Sequence, residues 1–249
     1  MNGIMELFFP RGASCLVCGD PRRADPEFGL CPECRKALLD LRLRENTCIR
    51  CMHPLNIKGI CPFCKTDGLG PVRAGYGAYR YTGAAAALIK ALKFGYRDEA
   101  AAALAAGMAQ CFPSDEYDAL VPVPLYPARQ RARGVNQSRL LCDRVGQLTG
   151  LPVMDILLRT RDTQAQTRLH SREKRARNVR DAFRAGEDTK GLRLLLVDDV
   201  RTTGATARAC GETLIRSGAL YVDLLTAAIA PRGGSGSDAG NRKRTLVRS

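Results

Sequence analysis

The chain reads as an α/β protein, a parallel sheet flanked by helices, preceded by a small cysteine-rich module held by zinc. Three observations predict this. The run Leu194-Leu195-Leu196-Val197 ends in Asp198-Asp199 and then in Thr202-Thr203-Gly204-Ala205-Thr206, the pattern of a strand buried on both faces that opens into a small, hydroxyl-rich loop. From Val72 onward strand-like and helix-like segments alternate, which argues for parallel strands joined by helices. Eight of the eleven cysteines form four C-x-x-C pairs, a spacing that metal knuckles use.

The amino-terminal part, residues 1–68, is short of aliphatic periodicity and rich in cysteine, proline and glycine, so metal rather than an apolar core must hold it together. Two thiolates three positions apart on a tight turn can face one Zn²⁺, and two such pairs complete a tetrahedron. Cys15, Cys18, Cys31, Cys34, Cys48, Cys51, Cys61 and Cys64 therefore imply two closed structural zinc sites. Sequential pairing keeps each loop short, and interleaved pairing is the alternative that spacing leaves open. An iron–sulfur cluster or a redox dithiol fits four evenly built knuckles less well. His53, two residues past Cys51, reads as a surface residue, and Cys111, Cys142 and Cys210 read as small core residues in helical segments.

Asp67-Gly68-Leu69-Gly70-Pro71 marks a boundary, and residues 72–230 form the expected α/β domain. Residues 75–81 alternate like a strand, residues 84–94 and 99–111 have helical periodicity, and residues 119–124 are a short apolar strand that prolines bring to a stop. A helix is expected over 136–150, another over 206–217, and a last strand over 221–229. Residues 231–249 turn to Gly, Ser, Asp, Asn and Arg and are expected to stay disordered as a basic tail.

A chain of 249 residues with 45% hydrophobic content can hold one medium domain and a small module. No apolar run approaches the length of a membrane span, and the first eleven residues lack a basic region followed by a long apolar stretch. The expectation is a cytoplasmic protein without a membrane span. Of the formal net charge of +14, much lies in residues 126–180, with thirteen Arg and Lys against four Asp and Glu. This local excess admits an acidic ligand or single-stranded DNA as partner. Few aromatics lie among those arginines, so base stacking gains little support.

The residues around Asp198 suit a phosphate and a diol together. A helix opening at Thr206 presents unpaired backbone N–H groups and its positive dipole end to the loop. Gly204 lets the backbone approach closely, and Thr202, Thr203 and Thr206 add hydroxyl donors. Arg129-Gln130-Arg131-Ala132-Arg133-Gly134-Val135-Asn136-Gln137-Ser138 follows directly on Val121-Pro122-Val123-Pro124. A loop of arginines, glycine and amides at a strand end can wrap a pyrophosphate, with Arg131, Arg133 and Gly134 as its contacts.

Two adjacent acids followed by T-T-G-A-T resemble the phosphoribosyl pyrophosphate (PRPP) loop of type I phosphoribosyltransferases. That resemblance implies that Asp198 and Asp199 sit by the ribose hydroxyls and a hydrated Mg²⁺ as the catalytic acids. It implies equally that Thr202, Thr203, Gly204, Ala205 and Thr206 hold the 5′-phosphate. The order of motifs narrows the match. Cysteine knuckles, Leu88-Ile89-Lys90-Ala91-Leu92-Lys93-Phe94, V-P-V-P, R-x-R-x-R-G-x-N-Q-S and V-D-D-V-x-T-T-G-A-T together resemble the ComF family. The resemblance implies a type I phosphoribosyltransferase-like fold behind a double zinc ribbon. It also implies a tie to DNA uptake, to single-stranded DNA handling or to use of DNA as a nutrient, with competence or DNA-processing proteins as partners. In phosphoribosyltransferases a basic segment in this part of the chain closes over PRPP; here Gln164, Gln166, Leu169, Arg172, Arg175 and Asn178 would form it. His170 reads as a surface residue, and no general base stands out.

Three functions remain open on the sequence. The chain is an enzyme acting at the anomeric carbon of PRPP, a non-catalytic single-stranded-DNA-binding accessory protein that keeps the fold, or a PRPP sensor.

Overall fold

A computed structural model describes residues 14–21, 24–94, 98–161, 182–186 and 188–231. The basic segment from Asp162 to Asn178 that carries the proposed closing residues lies outside them, as does nearly all of the tail. Four strands, β1 (Gly75–Arg80), β2 (Ala119–Pro122), β5 (Arg193–Arg201) and β6 (Tyr221–Ile229), form one parallel sheet in the order β1-β6-β5-β2. Two short strands, β3 (Leu157–Arg159) and β4 (Phe183–Ala185), pair antiparallel as a separate ribbon. They bracket the undescribed stretch 162–181. Their brevity hid them from periodicity.

Leu194, Leu195, Leu196 and Val197 are all fully buried, as a strand covered on both faces requires. Alternation then splits them. Leu195 and Val197 pack with buried residues of α3 (Gly83–Phe94), α4 (Asp98–Met108) and α6 (Gln137–Thr149). Leu194 and Leu196 pack with Ala207, Cys210 and Leu214 of α7 (Ala205–Arg216) on the other face. The cysteine module straddles the same division. Cys15 and Cys31 join the first cluster, whereas Cys48, Cys51, Cys61 and Cys64 join the second.

Two short helices within the module, α1 (Pro32–Leu39) and α2 (Pro62–Thr66), each begin one residue after a cysteine. Proline at the first helical position has no N–H to leave unsatisfied. Further along, α5 (Pro127–Arg133) occupies what the sequence reads as an open arginine loop. It starts at Pro127 and ends at Gly134, whose φ of 76° suits glycine alone without strain.

The connections fix where a ligand can sit. Leaving β2, the chain passes through α6 to residues 152–154, which pair with Leu120 on the outer side of β2. Leaving β5, it passes through α7 to β6 on the opposite side. The strand order thus reverses between β2 and β5, and open parallel sheets bind ligands in that crevice, at the carboxyl ends of the strands. At the other end of the sheet Asp223, fully buried, accepts hydrogen bonds from Arg73, the Ala74 N–H and the Tyr117 hydroxyl. That group closes the amino-terminal edge.

Candidate functional site

Asp198 and Asp199 do not extend beyond a strand tip as their sequence suggests. β5 runs through them, with Asp198 opposite Thr226 and Arg201 opposite Ile229 of β6. Pairing with β6 extends the strand, and that pairing is invisible in the local sequence. On the other side Pro122 stands opposite Val197, and the Val123 N–H donates to the Val197 carbonyl at 2.9 Å. The exit of β2 therefore adjoins the acids.

Two residues with no assigned role in the sequence reading complete the acidic pair. The Ser138 hydroxyl donates to Asp198 Oδ1 at 3.1 Å. Ser138 is delivered by the start of α6, where Asn136 caps the helix by accepting from the Ser138 N–H and donates to the Val123 carbonyl. Lys93, at the end of α3, places Nζ 2.6 Å from Asp199 Oδ2. Sequence separation conceals both contacts.

Burial pushes the Asp198 carboxyl up to about 7 from an ordinary value of 3.8; adjacent Asp199 adds to the rise, while Lys93 and Ser138 oppose it. The folded state thus holds this proton more tightly than the unfolded chain does. Ionising Asp198 costs stability as the pH rises from about 4 through about 7. Asp198→Asn is expected to raise the thermal midpoint at about pH 8 and to leave it nearly unchanged at about pH 4, measured by calorimetry. Equal midpoints at the higher pH would contradict this.

Beyond the acids, Gly204 adopts φ 79° and ψ 5° as the N-cap of α7, where glycine offers no capping side chain of its own. Thr203 Oγ1 accepts from the Ala205 N–H at 3.4 Å. Thr202 is exposed. Asp198, Thr202, Gly204, Ala205 and Thr206 line one small cleft, with Thr226 opposite. A helix start beside the Asp198 carboxylate can take an anion and a hydroxyl-bearing group side by side.

The arginines stand further off. Arg133 Nη1 donates to Gln137 Oε1 at 3.2 Å, and Arg131 is exposed on α5. Among the described residues, neither forms a hydrogen bond or ion pair with the acids.

The eight thiols form two zinc-binding sites with sequential pairing, Cys15, Cys18, Cys31 and Cys34 in one and Cys48, Cys51, Cys61 and Cys64 in the other. Within each set the sulfurs lie within 4.8 Å of one another. A tetrahedron with Zn–S bonds of about 2.3 Å has edges of about 3.8 Å. Cys18 Sγ and Cys31 Sγ are 3.8 Å apart, and Cys51 Sγ and Cys61 Sγ are 3.7 Å apart. The interleaved alternative is excluded. His53 belongs to neither set and is half-buried rather than on the surface, its carbonyl accepting from the Cys48 N–H. Cys142 and Cys210 are buried in α6 and α7, while Cys111 falls just past the end of α4 and is half-buried.

A family model agrees with the two zinc sites. Residues 4–65 match the family model described as a double zinc ribbon domain. The chain is 33% identical over 219 residues to the DNA utilization protein YhgH of Salmonella typhi, covering 84% of this chain and 94% of that protein. It is 34% identical over 105 residues to competence protein F of Haemophilus influenzae, covering 41% and 45% of the two. Competence protein ComFC of Bacillus subtilis is 23% identical over 223 residues, 82% of this chain and 89% of that one. Among solved structures, a glutamine PRPP amidotransferase from B. subtilis complexed with ADP and GMP gives a TM-score of 0.39 at 21% identity, over 56% of this chain and 30% of that one.

Proposed function

The chain belongs to the ComF family, and from that premise we propose that it binds PRPP or a related phosphoribosyl ligand with Mg²⁺ in the service of DNA uptake or DNA utilisation. Residues 72–230 are the ligand-binding domain, and residues 1–68 the zinc-held module beside it. The observation that supports the reading is the placement of Asp198, with Asp199 next to it on β5, beside the start of α7 in one cleft at the point where the strand order reverses. Asp198 and Asp199 take the ribose hydroxyls, and residues 202–206 take the 5′-phosphate. Arg131, Arg133 and Gly134, next to the exit of β2, serve the pyrophosphate.

The donor set fits the metal, since paired carboxylates offer the hard oxygens Mg²⁺ prefers. When bound, Mg²⁺ neutralises charge on a departing pyrophosphate. Asp199 is released from Lys93 when the ligand arrives, which frees the ammonium for an anionic group. Transfer or hydrolysis at the anomeric carbon is the matching chemistry, because an oxocarbenium-like centre and a leaving pyrophosphate need this electrostatic surround. Isotope-labelled PRPP incubated with Mg²⁺ and nucleobases tests it. Product formation is expected; consumption with no acceptor identifies hydrolysis, and PRPP that binds but stays intact identifies a sensor.

A second reading, an accessory protein for single-stranded DNA, is favoured by the basic excess across residues 126–180. Lysine and arginine that neutralise phosphates release counterions, so log K falls with log salt by about 0.7 per phosphate on single strands. A steep negative slope in fluorescence titrations is expected, and a flat one would remove DNA as a backbone partner. Thiols free of disulfides suit a reducing, cytoplasmic setting, and among the described residues no helix is long and apolar enough to cross a membrane.

A further inference from the structure

We propose that Arg201 is a positioning residue that couples the second zinc site to the phosphate loop, so that zinc in that site and a phosphate ligand on the loop strengthen each other's binding. The proposal rests on the reading of residues 202–206 as a phosphate loop.

Arg201 ends β5 and immediately precedes the loop. It is 2% exposed, and its Nη2 donates at 2.6 Å to the carbonyl of Cys51, a ligand of the second site. Guanidinium stays charged in any protein environment, so its burial demands compensating groups. A zinc ion with four thiolates carries a net charge of about −2, which the Arg201 cation complements. The chain that leaves the other knuckle of the same site, just past Cys64, is held from the far side of the loop. Arg208, in the first turn of α7, donates to Asp67 Oδ1 at 2.7 Å, to the Asp67 carbonyl at 3.1 Å and to the Gly68 carbonyl at 2.7 Å. Between these two clamps Leu69 lies so near Gly204 that a Cβ there would sit 2.6 Å from Leu69 Cδ2. The phosphate loop therefore lies directly on the chain that leaves the second zinc site.

The first site supplies an internal contrast. Its cysteines pack with α3 and α4 on the other face of the sheet. Both sites share one chain, one kind of metal and one solvent, but among the described residues only the second adjoins the loop. If the metal leaves the second site, four thiolates no longer converge, the Cys51 carbonyl shifts, and the Arg201 side chain loses its hydrogen bond to the knuckle that lies against the loop. Linkage makes the effect reciprocal, with couplings of this kind amounting to about 5-fold or more.

Hydrogen exchange of the full zinc-loaded chain during a chelator challenge tests this, with and without saturating PRPP and Mg²⁺, after calorimetry has established binding. Peptides covering residues 48–66 and 15–34 report the opening of the two sites separately. Ligand is expected to slow opening of the second site about fivefold or more and to leave the first unchanged. Arg201→Met is expected to abolish the slowing, Arg201→Lys to restore part of it, and Arg208→Gln, at a more exposed position, to weaken it without unfolding the chain. Binding heat with both sites opening at unchanged rates overturns the coupling alone. Absence of binding heat overturns the phosphate-loop reading and the coupling with it. Slowing that persists in Arg201→Met overturns the role of Arg201.

Discussion

Cys51→Ser is expected to lower the zinc content from two ions per chain to one and to unfold residues 48–66. Each site closes a tetrahedron from four cysteines, and three thiolates with a weakly coordinating hydroxyl cannot replace it. The stakes are large because structural zinc contributes about 10–16 kcal/mol of apparent binding energy, which in a segment without its own core is folding energy. The cysteines of the second site are buried together with Leu69, Val72 and residues of α7, so the loss reaches the sheet. Elemental analysis with thermal unfolding measures it. A variant that keeps two zinc ions would refute Cys51 as an essential ligand of a closed four-cysteine site.

The double variant Asp198→Asn/Asp199→Asn is expected to bind PRPP at least about 100-fold more weakly, which corresponds to about 2.7 kcal/mol. Asp198 lines the cleft and is held by Ser138, and the adjacent Asp199 is held by Lys93. Amides of the same shape keep the backbone hydrogen bonding yet remove both charges that a hydrated divalent cation requires. Burial pushes the Asp198 carboxyl up to about 7, so PRPP affinity in the parent protein should fall as the pH drops through that region. The protonated acid no longer attracts the metal. The arginines on α5 lie outside the substitution, so a DNA interaction based on them should survive.

Most of the sheet was legible because its strands are locally unambiguous. The run of residues 194–197 has the length and apolar continuity of a buried strand, and the helices α3, α6 and α7 follow their apolar spacing to within about two residues of the expected bounds. The C-x-x-C spacing announced two metal sites, whereas the choice of sequential pairing needed three-dimensional distances. Where the structure departs from the sequence pattern, tertiary pairing and helix punctuation are the causes. β5 continues past the acids because β6 pairs with it, a partnership no local pattern records. Pro127 and Gly134 are the ordinary start and stop of a helix, although the arginines between them equally suit an anion-binding loop. Ser138 and Lys93 reach the acids from 60 and 106 positions away in sequence, and the clamp from Arg201 to Cys51 spans 150. Contacts at such separations carry no periodic signature.

On the proposed function, Asp198, Asp199 and residues 202–206 form one phosphoribosyl site separate from any DNA surface. Calorimetric titration of PRPP with Mg²⁺, and of a single-stranded oligonucleotide, into the parent protein and into Asp198→Asn/Asp199→Asn tests it most directly. Saturable PRPP binding by the parent, its loss in the variant and unchanged DNA binding by both are predicted. PRPP binding that survives the double substitution, or a parent protein that binds no PRPP, would contradict the assignment.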